Sequence, residues 1–83
     1  MSVSIKSFLE TEINQVSKRL LMDTIKKSEA GGKTELLMLS IYGVEINAKN
    51  DTVEIYNDLS PETPPLKMTL ATFLNHIKDY RQP

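Results

Sequence analysis

LLMLSIYGVEINAKNDTVEIY, residues 36–56, decides the fold. Three short runs of strand-forming residues lie end to end in it, separated by two turn signals. Tyr42-Gly43 can supply the positive φ angles of a tight hairpin, and Asn50-Asp51 is a two-residue turn pair. These turns predict a register. Ile41 faces Val44, Leu39 faces Ile46 and Leu37 faces Ala48 across the first; Ala48 faces Val53 and Ile46 faces Ile55 across the second. All of these residues then share one side of a sheet. Leu36, Met38, Ser40, Glu45, Asn47, Lys49, Thr52, Glu54 and Tyr56 take the other. A slip of one residue would turn the apolar set to water, so the agreement across both turns supports a meander. A sheet this small must bury its apolar side against something else.

The flanking segments supply helices. From Ser4 to Ala30, apolar residues (Ile5, Phe8, Leu9, Ile13, Val16, Leu20, Leu21, Ile25) recur at three- and four-residue steps, which predicts one long amphipathic helix. Ser7-Phe8-Leu9-Glu10 fits a capping box, with Ser4 or Ser2 as alternative caps. Gly31-Gly32 ends the helix, and the rod would be about 35 Å long. Residues 57–67, NDLSPETPPLK, hold three of the four prolines and read as a stiff loop anchored by Leu59 and Leu66. Thr69 then caps a second helix, in which Leu70, Phe73, Leu74, Ile77 and Tyr80 form the apolar stripe. The expected fold is one α+β domain over residues 1–83, of order α-β-β-β-α: a three-stranded antiparallel meander packed against two helices. Its elements are a helix at about 4–30, strands at about 35–41, 44–49 and 52–57, a Pro-rich loop at 58–68 and a helix at about 69–81.

Composition narrows the class. Of the 83 residues, 40% are hydrophobic and 25% charged, which is ordinary for a globular chain and argues against wholesale disorder. There is no cysteine, so disulfides and thiolate zinc sites are excluded. The start, MSVSIKSFLETEI, has no unbroken apolar run, and no stretch approaches membrane-spanning length; the expectation is a cytoplasmic protein with no membrane association. The net charge of −1 hides an asymmetry. Between Val44 and Thr63 stand five acids (Glu45, Asp51, Glu54, Asp58, Glu62) and one base, Lys49. Acid gathered on a hairpin and its following loop disfavours nucleic acid and favours a basic protein partner.

The inventory for catalysis is thin. His76 is the only histidine, and it falls on the polar side of the last helix without evident partners. Glu45 and Glu54 project to the same side of the hairpin, as a carboxylate pair for acid–base work would, or as an exposed polar face would. Gly31-Gly32-Lys33-Thr34 lacks the first glycine of a phosphate-binding loop and precedes a strand. No enzyme, cofactor or metal site is expected. The outer sheet side says more. Leu36, Met38 and Tyr56 stand there among carboxylates, and a strand apolar on both sides is either covered by the first helix or by the loop near Leu66, or is an interface.

Two resemblances follow. The double-stranded-RNA-binding domain has the same element order, but this chain departs from it at Pro64-Pro65-Leu66-Lys67-Met68-Thr69, where that family carries the basic cluster that touches phosphate. The chain also resembles small bacterial or phage-encoded inhibitor proteins: the immunity proteins of contact-dependent and polymorphic toxin systems, and certain anti-CRISPR proteins. Many are cysteine-free, acidic in one patch and short, and short immunity proteins often end in a helix like Met68-Thr69-Leu70-Ala71-Thr72-Phe73-Leu74. The resemblance implies a protein that occludes a basic surface, such as that of a nuclease toxin. The residues expected to carry this are Glu45, Asp51, Glu54, Asp58 and Glu62, with Met38 and Tyr56 as apolar anchors. The alternative is a structural or regulatory module, dimeric through its first helix or its sheet edge.

Overall fold

A computed structural model describes residues 3–80. The order is α1 (Ile5–Glu12), α2 (Gln15–Gly31), β1 (Glu35–Met38), β2 (Tyr42–Asn47), β3 (Thr52–Asn57), β4 (Leu66–Thr69) and α3 (Leu70–Asp79). The four strands form one antiparallel sheet in sequence order. Phe8, Leu9, Ile13, Leu21, Ile25, Phe73 and Ile77 from the helical segments meet Tyr42, Val44, Ile46, Val53 and Ile55 in a single core. The helices thus cover one side of the sheet. Phe8 lies at its centre, edge-on to Tyr42 with ring centroids 5.6 Å apart, and 6.2 Å from Phe73. Each such fully buried side chain contributes roughly 1.5–3 kcal/mol relative to exposure.

The α+β class and the inward apolar set stand as expected, but four details differ. The first is the long helix, which is two helices. Ile13 turns extended, and Asn14 caps α2: its side chain accepts from the Ser17 N–H at 2.9 Å, while the Ser17 hydroxyl accepts from the Asn14 N–H at 2.9 Å. Reciprocal capping satisfies two donors that a fresh helix start would otherwise leave bare, so no 35 Å rod forms. Ser4 caps α1, accepting from the Ser7 N–H. Gly32, with φ of 64°, closes α2 and donates to Ser28 C=O.

Second, both turns sit elsewhere. The first is Ser40-Ile41, with the Leu39 N–H donating to Tyr42 C=O at 2.9 Å, so Leu37 faces Val44 rather than Ala48. The second is a four-residue loop, Ala48–Asp51, with Asp51 at φ of 56°, so Ile46 faces Val53 and Val44 faces Ile55. Both errors in register are even, which is why every residue that remains in a strand keeps its predicted side. The first strand stops at Met38 instead of residue 41, and the second runs 42–47 instead of 44–49. Third, the Pro-rich loop ends in a fourth strand, Leu66–Thr69, paired with β3. Leu66 joins the core margin, whereas Leu59 is 74% exposed and anchors nothing. Fourth, α3 ends at Asp79; Arg81, placed in it by the periodicity, lies outside the described residues.

Two buried polar groups tie the layers together. Glu12, at the end of α1, is 5% exposed. Its carboxylate accepts from the N–H groups of Ser40 (3.3 Å), Ile41 (2.8 Å) and Tyr42 (2.8 Å) and from the Ser40 hydroxyl. The donors of the β1–β2 turn are thus satisfied by a helix 28 to 30 residues upstream. Ser28, fully buried on α2, accepts from the Ala48 N–H at 2.9 Å and donates to Lys33 C=O at 2.7 Å.

Candidate functional site

The side of the sheet away from the helices is open. Leu36, Glu45, Glu54 and Lys67 form one row across the four strands, and Met38, Gly43 and Tyr56 form the next. Leu36 is 53% and Met38 45% exposed, so neither the helices nor Leu66 covers them. The doubly apolar first strand is genuine, and its Leu36 and Met38 face solvent.

Tyr56 organises the second row. A Cβ on Gly43 would lie 2.5–2.7 Å from the tyrosine ring, so only glycine lets the ring lie flat across β2. The turn role expected of Gly43 is absent; its need is for space, not for positive φ. Across that gap the Tyr56 hydroxyl reaches Met38 Sδ at 3.5 Å. Partial burial, with Glu45 and Asp58 nearby, raises the phenol above its ordinary range, so it remains a neutral donor at physiological pH.

The carboxylates divide into groups. Glu45 stands directly opposite Glu54. Glu54 Oε1 lies 3.7 Å from Lys67 Nζ, whereas Glu45 makes no ion pair among the described residues. Lys67 is the cation beside Glu54, and the second turn puts Asn47 opposite Thr52. Asp58 continues past β3, its N–H donating to Ile41 C=O at 2.9 Å, and joins the Tyr56 end of the face. Asp51 is at the other end, where its carboxylate and its C=O both accept from the Leu70 N–H at 3.2 Å, pinning the start of α3. Glu62 is exposed in the loop before β4. The structure therefore brings together Met38, Glu45, Glu54, Tyr56 and Asp58, sets Asp51 with Glu54 and Lys67 in a cavity between β3 and β4 at the other end of the face, and leaves Glu62 apart.

Leu36 and Lys67 complete the face. The expected Pro-rich loop takes in Lys67, although the alternation Leu66-Lys67-Met68-Thr69 signals the strand that forms. His76 is half-buried in the last turn of α3. Among the described residues, no cluster of three or more His, Asp or Glu is arranged to hold a metal, and no helix is long and apolar enough to cross a membrane.

Compared with family models, with curated proteins and with solved structures, the chain finds no match in any of the three. The functional reading rests on geometry.

Proposed function

We propose that this chain is a non-enzymatic inhibitor that binds a basic protein with the open side of its sheet, in the manner of an immunity protein occluding the substrate surface of a nuclease toxin. One observation carries the reading. Two carboxylates, Glu45 and Glu54, face each other on adjacent strands beside the exposed apolar side chains of Leu36, Met38 and Tyr56. Like charges directly opposite each other destabilise a sheet, and Lys67 relieves only Glu54. A cation from a partner would neutralise Glu45 and be held in a contact that the apolar residues shield from water. Carboxylates would then occupy the places of substrate phosphates, and the neutral Tyr56 phenol, turned from its long contact with Met38 Sδ, would donate a hydrogen bond at the rim.

The test is co-purification with the product of the adjoining reading frame, followed by affinity measurement on variants. Glu45→Lys should weaken the complex by ~2–5 kcal/mol, the loss expected when a charge meeting a cation across a desolvated contact is removed. Glu54→Lys should cost less, because Lys67 already shares that carboxylate. Lys78→Glu, on the exposed surface of α3, should change affinity by about twofold or less. Equal, small effects of all three, with an association rate indifferent to salt, would refute the reading.

A further inference from the structure

The two edges of the sheet are built differently. Ladder bonds alternate along an antiparallel pair. Since the Leu39 N–H bonds Tyr42 C=O, the residues of β1 bonded to β2 are the odd-numbered ones. The N–H and C=O of Leu36 and Met38 therefore point out of the sheet, and among the described residues nothing pairs with them. On β4 the Leu70 N–H bonds Asp51 C=O, which by the same alternation sends the groups of Lys67 and Thr69 outward. That edge carries recognised guards against strand addition: a lysine within it and Pro64-Pro65 just before it. The β1 edge carries neither, and its two outward-facing residues are also exposed apolar side chains on the open side.

We infer that β1 pairs with β1 of a second copy of this chain, in antiparallel register about Leu37. Leu36 then sits opposite Met38 of the second copy, and Met38 opposite its Leu36, each pair exchanging two backbone hydrogen bonds. The register is self-complementary. It satisfies all four free groups on each edge and stacks Leu36 and Met38 of both copies into one apolar strip. It sets no like charges opposite each other, since Glu35 falls opposite Leu39. The eight-stranded sheet keeps its carboxylates clear on either side of the strip; Leu36 and Met38 belong to both contacts, but the dimer is argued from the free backbone groups of the β1 edge and does not rest on the inhibitory function. Four backbone bonds and a few side chains make an interface at the low end of the size range, so the dimer is weak, with a dissociation constant on the order of 10⁻⁵ M.

Sedimentation equilibrium on the full chain, combined with a charge exchange, tests it. Leu36→Lys and Met38→Glu, each alone, should raise the dissociation constant by about tenfold or more, because each brings two like charges, one from each copy, into the central apolar strip. The two substitutions in one chain should restore it to within about threefold of wild type, because each lysine then meets a glutamate across the junction. Both positions are exposed, and an unchanged unfolding transition in each variant confirms the fold. A wild-type chain that stays monomeric at ~1 mM would overturn the inference. So would a double variant that associates no better than the single ones.

Discussion

A carboxylate buried at 5% exposure survives only if its hydrogen bonds offset its desolvation. Burial alone would raise the pKa of Glu12, but the Ser40 hydroxyl and the N–H groups of Tyr42, Ile41 and Ser40 hold it below the ordinary value near 4.5. The group titrates lower in the folded chain than in the unfolded one. Its stabilisation is therefore fully present above about pH 4.5 and is lost as pH falls through the folded-state pKa. Glu12→Gln should destabilise the protein by roughly 1–3 kcal/mol at pH 7, since an amide NH₂ cannot accept and some turn donors lose their partner. Urea unfolding at pH 7 and pH 3 should show the gap between wild type and variant narrowing at the lower pH. None of this was legible in the sequence, where Glu12 is one more acid on a helical stretch. The residues that define its role lie 28 to 30 positions away.

At the level of elements, periodicity identified most of what each segment buries, but Val16 and Leu20, which it counts in the stripe, are 71% and 44% exposed on α2. The apolar stripe of residues 5–25 continues almost unbroken through Ile13, because Ile13 is buried in extended backbone just as it would be on a helix face. The break was written instead in Asn14 and Ser17, a polar pair at capping-box spacing without the usual glutamate. Asn14→Ala should lower stability by about 1 kcal/mol, the usual worth of an N-cap. Chemical denaturation would check this, and a gain in stability with a rise in helical circular dichroism would mean that the break is merely tolerated. The meander was legible because its faces are fixed by parity, and even slips of the turns leave parity intact. The strand β4 was not, because three prolines within six residues just upstream outweighed a four-residue alternation.

For the whole molecule, the division of surface matters most. The helices claim one side of the sheet, and the other side presents carboxylates and apolar side chains to solvent. The acidic end of the outer face, with Glu45, Tyr56 and Asp58 together, would repel a phosphate backbone. Duplex RNA and DNA should therefore show no binding at physiological salt in a fluorescence anisotropy titration. Submicromolar binding abolished by Lys26→Glu would instead place function on the exposed basic side of α2. Of the seven residues named from sequence, the five that converge do so because strand parity and cross-strand pairing could be read. Asp51 and Glu62 stand out in the sequence by charge alone, and charge carries no information about position: the first lines a cavity beside Glu54, the second stands apart.

The clasp of Glu12 on the first turn also has a kinetic face. Amides in a two-residue turn ordinarily trade their protons with water freely, because nothing in the turn shields them. Here the amides of Ser40, Ile41 and Tyr42 are held by a residue on another element. They exchange when the Glu12 carboxylate lets go, whether its side chain swings out or the end of α1 lifts. Their proton-exchange rates therefore clock the opening of this clasp, read out from a loop far along the chain.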